Sequence, residues 1–483
     1  MVGERMTGAD AAWLHMDRPT NRMVVNIVCW FAQTPDWDAV RDALRWRWVQ
    51  EYPRFRQKVR EPAFSWALVA VPEWVDDASF CFEDHLRQVI LDQPGDEAAL
   101  HEYVESHIAD PLQPDRPLWE VHLIDGYQGG SALLLRVSHA LGDGTALMHA
   151  LIALSDDEPG RDQQGSTALV AGPVDGASAP SGAQAVRDSA SDWVTTFPKL
   201  ALGELGHAEA IAARVGSLSK LAVVRQDRRT VLRERLGTRK RVTWTVPVSL
   251  ASVRSVAQQG GATVNDVLLA VTAAALGRYL RQHGSDVDEI GAMLPFNLRP
   301  LHVPMARSLG NKFGLVYPDL PVAPMEMPAR IARVHEVMTR IKLAKQANVV
   351  FGWISSVGLM PMQVENVLID RYAGMSSVII TNVPGPRRPI SIAGSPVAGL
   401  LFWVPTSGPV GVGLSFISYA GQVTIGLMVD ALLVPDVARM RELLEDELAG
   451  VTADPLRGSA PGATGAHRPE TPTGPSARDE YQA

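Results

Sequence analysis

Val137-Ser138-His139-Ala140-Leu141-Gly142-Asp143-Gly144 is the stretch from which the fold of this chain is read. Residues 132–137 before it are apolar apart from Arg136 and have strand length. From Thr145 onward an apolar helical pattern runs to 154. His139 is therefore expected at the end of a buried strand, just before a tight turn. Gly142 and Gly144 are expected to give that turn backbone angles that other residues avoid. The ordinary imidazole pKa of about 6.5 suits proton transfer near neutral pH. Strand side chains alternate faces, so Ser138 and His139 point opposite ways and cannot form a nucleophile–base pair. The pattern argues against a serine hydrolase and for a lone histidine acting on a bound substrate. Taken by itself, His139 would more often be a satisfied core histidine at a strand end.

Other stretches change that balance. They are Arg116-Pro117-Leu118-Trp119-Glu120, Thr263-Val264-Asn265-Asp266, Asn382-Val383-Pro384-Gly385-Pro386 and the opening Met16-Asp17-Arg18-Pro19-Thr20-Asn21. With the His139 block, they resemble in order the HHxxxDG, PLW, ND, NVPGP and amino-terminal elements of the bacterial wax ester synthase/diacylglycerol acyltransferase family, within the CoA-dependent acyltransferases. The resemblance runs over roughly residues 4–450. It implies an α/β (α+β) fold of two chloramphenicol-acetyltransferase-like domains, arranged as a pseudo-dimer with a tunnel at their interface. It makes His139 the general base, midway along the tunnel, and Asp143 and Gly144 structural, with Arg299 or Arg136 as partner of Asp143. Pro117, Leu118, Trp119, Asn265, Asp266 and Asn382 become candidates for the substrate pocket, although Trp119 is as readily a residue packed under the sheet. Asn265, Asn382 or backbone N–H groups near His139 are candidate oxyanion donors. Ser138 stands where the family usually has its first motif histidine. Because that position faces away from the substrate, the change is expected to be tolerated.

The implied reaction moves a long-chain acyl group from acyl-CoA to diacylglycerol, forming triacylglycerol. The alternatives are a wax ester synthase using a fatty alcohol and a degenerate member that binds lipid or CoA without turnover, which Ser138 would permit. Acyl-CoA is a substrate here, and neither cofactor nor metal is expected. In the segment 97–108, the second histidine follows His101-Glu102 by six residues where HExxH needs four, so a zinc reading fails.

The chain has 483 residues, 46% hydrophobic and 20% charged, enough for more than one ordinary domain with large cores. A net charge of -8 makes nucleic acid a poor partner. Two cysteines, Cys29 and Cys81, give no disulfide framework and fit a reducing cytosol. No basic region followed by an apolar stretch suggests a signal peptide. The longest apolar helical run, 264–280, falls short of the roughly 20 residues that span a bilayer. The expected location is cytoplasmic, with peripheral attachment at the inner membrane face or on lipid inclusions left open.

The sequence divides into an amino-terminal acyltransferase-like domain at 1–154, a disordered linker at 155–190 and a helical crossover at 191–240. A carboxy-terminal acyltransferase-like domain follows at 241–452, with a disordered tail at 453–483. In the first half, strands are expected near 23–31, 55–59, 63–71, 120–125 and 132–139, and helices at 10–16, 37–50 and 97–108. In the second, strands are expected at 241–248, 291–295, 313–320 and 377–381, and two or three more between 397 and 429. Its helices are expected at 250–258, from 264, at 328–347 and at 435–448. The apolar residues 267–276 either line an acyl channel or are core. The helical 192–224 with its basic neighbour either lies on an anionic membrane or, the favoured reading, packs between domains.

Overall fold

The computed structural model describes residues 3–62, 71–156, 225–299, 307–344 and 346–453. Nearly all of the expected strand at 63–71, of the linker and of the tail, and most of the crossover, lie outside these residues. Two mixed sheets carry the fold. The first has six strands in the order Ser391–Ile392, Ser395–Trp403, Val24–Phe31, Gly130–Ser138, Trp119–Tyr127 and Leu86–Ile90. The second has eight, with Phe313–Val316, Glu289–Asn297, Val378–Pro384, Val412–Tyr419, Gln422–Asp430 and Lys240–Trp244 along its main path. Each sheet lies in its own apolar core, and the halves meet along a seam.

Gly130–Ser138 is an interior strand, buried along its whole length, as expected of a nearly continuous apolar run. It pairs antiparallel with Val24–Phe31 on one side and Trp119–Tyr127 on the other. Gln128 and Gly129, which join it to Trp119–Tyr127, both have positive φ, at 49° and 79°. That is the signature of a type I′ hairpin, whose twist matches that of the strands. Met23 O accepts a hydrogen bond from His139 N at 2.7 Å, so the pairing with the first long strand extends to the histidine itself.

Strand Ser395–Trp403 departs from the expected domain boundary. It lies within the second half in sequence but pairs antiparallel with Val24–Phe31 and packs Leu400, Leu401, Phe402 and Trp403 into the first core. The next strand, Val412–Tyr419, returns to the second sheet. The amino-terminal helix Gly8–His15 makes the reciprocal crossing and packs on Gln346–Val357. Their backbones approach so closely that a Cβ at Gly8 would lie 1.9 Å from Ser355 O, and one at Gly358 1.9 Å from Gly8 O. Helices Gln346–Val357 and Met362–Ala373 fill a stretch where the sequence reading assigned no element. The expected helix at 37–50 is α-helical only over Trp37–Ala43 and continues through a π-wound turn, Leu44–Gln50.

Helix Val264–Gln282 begins with a capping box. Thr263 Oγ accepts from Asp266 N and the Asp266 carboxylate accepts from Thr263 N. Its residues 267–271 and 273–276 are buried, nearly all of them in the second core, as the core reading of 267–276 holds. Among the described residues no single helix is long and apolar enough to cross a membrane.

Candidate active site

His139 follows the last residue of the motif strand and lies on the seam. It is buried, with 8% of its surface exposed. Three elements hold it. Trp13, on the amino-terminal helix, stacks on the imidazole with ring centroids 4.5 Å apart. Phe313, from the second half, stands 5.6 Å away. Asn311, two residues before Phe313, places its Oδ1 3.1 Å from His139 Nδ1. Asn311 in turn is tied to Asp10, whose Oδ1 accepts from Asn311 N at 2.9 Å and from Asn311 Nδ2 at 2.8 Å. Asn311 Nδ2 also donates to the His139 carbonyl at 2.8 Å. Burial lowers the imidazole pKa, opposed by the Asp143 charge, a hydrogen bond to the residue's own carbonyl and the Asn311 hydrogen bond. A neutral ring near pH 7 is the form that can accept a proton.

The turn after His139 is built around Asp143, which caps the helix Gly144–Ala153. Its Oδ1 accepts from Ala146 N at 3.0 Å. Its Oδ2 accepts from Lys312 N at 2.9 Å and pairs with Arg299 Nη1. Arg299 Nη2 reaches Gly310 O at 2.6 Å, and Gly310 N donates to Leu141 O at 2.8 Å. Asp143 thus staples the motif turn to segment 309–312 of the other half. Of the two arginines put forward as its partner, Arg299 is the one in contact. Arg136 is fully buried and committed to Glu120, the Asp110 carbonyl and Asn26.

The turn glycines have a different reason from the one expected. Neither Gly142 nor Gly144 has positive φ; the left-handed residues are Leu309 and Gly310 across the seam, at 57° and 92°. The two turn glycines are instead sites of close approach. Gly142 bridges to Gly310, and a Cβ on Gly144 would lie 3.0 Å from Val383 Cγ2. Val383 belongs to the Asn382–Pro386 element, so the seam brings two of the sequence elements together.

Ser138 Oγ accepts from Ala140 N at 3.3 Å, so it is engaged with the backbone of the turn. Among the proposed oxyanion donors, the N–H groups of His139, Ala140 and Leu141 all donate within the protein, to Met23 O, Ser138 Oγ and Ser138 O. They are therefore spent. Asn382 Nδ2 donates to Asn265 Oδ1 at 3.0 Å, which joins the Thr263–Asp266 and Asn382–Pro386 elements. Asp266 Oδ2 serves its capping box and meets His335 Nδ1 at 2.8 Å, so that oxygen is committed to local structure. Pro117, Leu118 and Trp119 are buried beside the motif strand, and Ser138 N donates to Leu118 O at 3.0 Å. Trp119 stacks on His85 at 4.3 Å, lies edge-on to Phe55 and donates from Nε1 to Phe55 O. That is the packing alternative weighed for it from sequence. The opening element also works across the seam. Arg18 pairs with Asp370 at 2.8 Å, and Asn21 Nδ2 donates to Gly408 O at 2.9 Å.

Asp10, Trp13 and Asn311 were not singled out by the sequence. Thr7-Gly8-Ala9-Asp10 carries an S/T-x-x-D spacing that reads as a helix cap, and Thr7 is indeed the cap. Nothing in that spacing shows that the same carboxylate reaches across to Asn311.

A family model described as the wax ester synthase/diacylglycerol acyltransferase catalytic domain matches residues 6–268, and one described as the WS/DGAT C-terminal domain matches 309–451. The chain belongs to the wax ester synthase/diacylglycerol acyltransferase family. It is 26% identical over 458 residues to the probable diacylglycerol O-acyltransferase tgs1 of Mycobacterium tuberculosis, covering 93% of this chain and 96% of that one. Among solved structures, it resembles a wax ester synthase/diacylglycerol acyltransferase from Marinobacter aquaeolei, with a TM-score of 0.66, 22% identity and coverage of 93% and 99% of the two chains. The first condensation domain of the calcium-dependent antibiotic synthetase shares the fold, with a TM-score of 0.59 at 16% identity over 94% of this chain and 98% of that one. The two-domain acyltransferase fold implied by the sequence elements is therefore the fold of this enzyme. Among the described residues no cluster of His, Cys, Asp or Glu is arranged to hold a metal ion.

Proposed function

We propose that this acyltransferase moves a long-chain acyl group from acyl-CoA to the free hydroxyl of diacylglycerol, with His139 as general base. The observation that carries the reading is a mostly buried imidazole at the seam, bonded through Nδ1 to Asn311, so that Nε2 is the nitrogen left for a substrate. In this reaction His139 Nε2 takes the proton of the acceptor hydroxyl as that oxygen attacks the thioester carbonyl. The tetrahedral intermediate collapses, the C–S bond breaks, and the imidazolium returns the proton to the CoA sulfur. The products are triacylglycerol and free CoA, and no acyl-enzyme intervenes. A positioned base contributes on the order of a hundredfold to ten-thousandfold in rate. Holding donor and acceptor in line contributes several kcal/mol more by lowering the entropy of encounter.

Both substrates would reach His139 along the seam, from opposite mouths of a tunnel. Attachment to the inner membrane face or to lipid inclusions would supply the acceptor, in an otherwise cytoplasmic protein with acyl-CoA as substrate and no cofactor. Diacylglycerol is favoured as acceptor by the names of the relatives, which are called diacylglycerol O-acyltransferases. Offering radiolabelled acyl-CoA with diacylglycerol and hexadecanol side by side tests the assignment. Labelled triacylglycerol in excess upholds it, and labelled wax ester in excess makes the protein a wax ester synthase. Retained acyl-CoA binding with no transfer to either alcohol makes it a lipid- or CoA-binding member without turnover.

A further inference from the structure

We propose that Asn311 and Asp10 are positioning residues that hold His139 in one tautomer, with hydrogen on Nδ1 and the lone pair on Nε2. The inference rests on the base role given to His139 above and goes beyond it by assigning what orients the base. The hydrogen-bond inventory of one amide carries it. Asn311 Nδ2 has two hydrogens and two acceptors, Asp10 Oδ1 and the His139 carbonyl, each at 2.8 Å. Turning the amide over would set its oxygen against a carboxylate and a carbonyl, two repulsive contacts, so its orientation is determined by its neighbours. Asn311 Oδ1 therefore faces His139 Nδ1, and an amide oxygen can only accept. The ring nitrogen opposite it carries the hydrogen. A neutral imidazole has one N–H, so Nε2 is left with the lone pair.

Asp10 sets the amide. Its Oδ1 holds both Asn311 N and Nδ2, and its Oδ2 accepts from Thr7 Oγ at 2.7 Å. It sits in the first turn of the helix Gly8–His15, where the helix dipole and the hydrogen bonds from Asn311 and Thr7 favour its charge, while burial raises its pKa on balance. Trp13 is one turn further along that helix and covers the face of the imidazole. One short helix thus supplies both the stacking surface and, through Asn311, the polar contact. When the ring becomes imidazolium, the Asp10 charge lies one amide away and stabilises it through the polarised Asn311 carbonyl. The other acid near the ring, Asp143, has its oxygens on Ala146 N, Lys312 N and Arg299 and has no contact with either ring nitrogen.

The test is nitrogen NMR of the full chain labelled with 15N-histidine, at a pH of about 8, where an ordinary imidazole is neutral. The His139 signals are those lost in His139→Gln. The wild-type ring is expected to show a protonated Nδ1 and an unprotonated Nε2. Asn311→Ala is expected to release the ring to a tautomer mixture and to lower kcat by about tenfold to a hundredfold, with KM for acyl-CoA within about twofold. Asp10→Asn keeps an acceptor oxygen and removes the charge. It is expected to preserve the tautomer and to move the acid limb of the kcat profile to lower pH, because the charge that favours the imidazolium is gone. A merely structural role would lower activity without moving that limb. A wild-type spectrum with hydrogen on Nε2 overturns the proposal, and so does an unchanged His139 spectrum in a folded Asn311→Ala protein. A released tautomer with unchanged kcat upholds the positioning and overturns the base role instead.

Discussion

Two carboxylates flank His139 from different regions of the molecule, and they do different work. Asp143 belongs to the motif, four residues on in the same turn, and its hydrogen bonds go to backbone N–H groups and to Arg299. Asp10 is far away in sequence, on the amino-terminal helix, and its hydrogen bonds lead through Asn311 to the imidazole. Membership of a motif therefore does not measure closeness to the chemistry. The motif aspartate anchors the turn, while an acid outside the motif faces the ring's support. Both cross the seam to the same short segment, at Gly310–Lys312, so that segment couples the histidine to both halves.

The largest expected effect is at the point where the two regions meet. His139→Ala should lower acyl transfer by about a hundredfold to ten-thousandfold while the protein remains folded, measured with labelled acyl-CoA and by thermal melting. Undiminished turnover would leave neither carboxylate with a base to support. Next comes the motif side. Arg299→Ala leaves the buried Asp143 without its partner and should cost about 3 kcal/mol of stability, read from urea denaturation. If activity fell with stability unchanged, Asp143 would be working on the chemistry and the contrast with Asp10 would fail.

The amino-terminal side should respond more weakly in stability. Thr7→Ala removes the cap of Gly8–His15 and the hydroxyl that donates to Asp10, a loss of about 1 kcal/mol by denaturant titration. A reduced kcat at temperatures where the variant is fully folded would sharpen the link between that helix and the ring. The smallest effect concerns His15, whose Nδ1 meets the fully buried Glu365 at 2.7 Å and ties the same helix to Met362–Ala373. Burial disfavours the imidazolium, but the Glu365 hydrogen bond and charge outweigh it, and the His15 pKa is raised. Burial raises that of Glu365 as well. His15 holds its proton more tightly when folded, so its contribution is present below the ordinary histidine pKa and fades as pH rises through the raised one. The melting-temperature gap between wild type and His15→Gln should therefore be wider at a pH of about 6 than at about 9. A gap that widened with pH would show that the pair does not anchor the helix.

Much of this architecture was legible beforehand for physical reasons. The motif strand is a nearly unbroken apolar run that only an interior strand accommodates. The helices at 97–108 and from 264 were read from their helical patterns, and the structure adds the caps Asp96 and Thr263. The structural role of Asp143, with Arg299 as one of two partners, was implied by the family resemblance, and the structure supplies its physical reason, since a buried carboxylate needs a counter-charge. Spacing did not choose between Arg299 and Arg136; the strand register did, by setting Glu120 opposite Arg136. Helices Gln346–Val357 and Met362–Ala373 carry apolar residues whose partners lie in the distant first helix, so local periodicity alone did not mark them.

The sequence by itself determined the placing of His139 at a strand end, because an apolar run before it and a helical pattern after it are local signals, and its ordered motifs carried the resemblance that implied the family and the two-domain acyltransferase fold. Tertiary structure alone decided that Ser395–Trp403 joins the first sheet, since alternation marks a strand as buried without naming the sheet that buries it. It alone brought Asp10 and Asn311 to the imidazole, because a hydrogen bond across 301 residues depends on how two halves dock, and no local pattern encodes that docking.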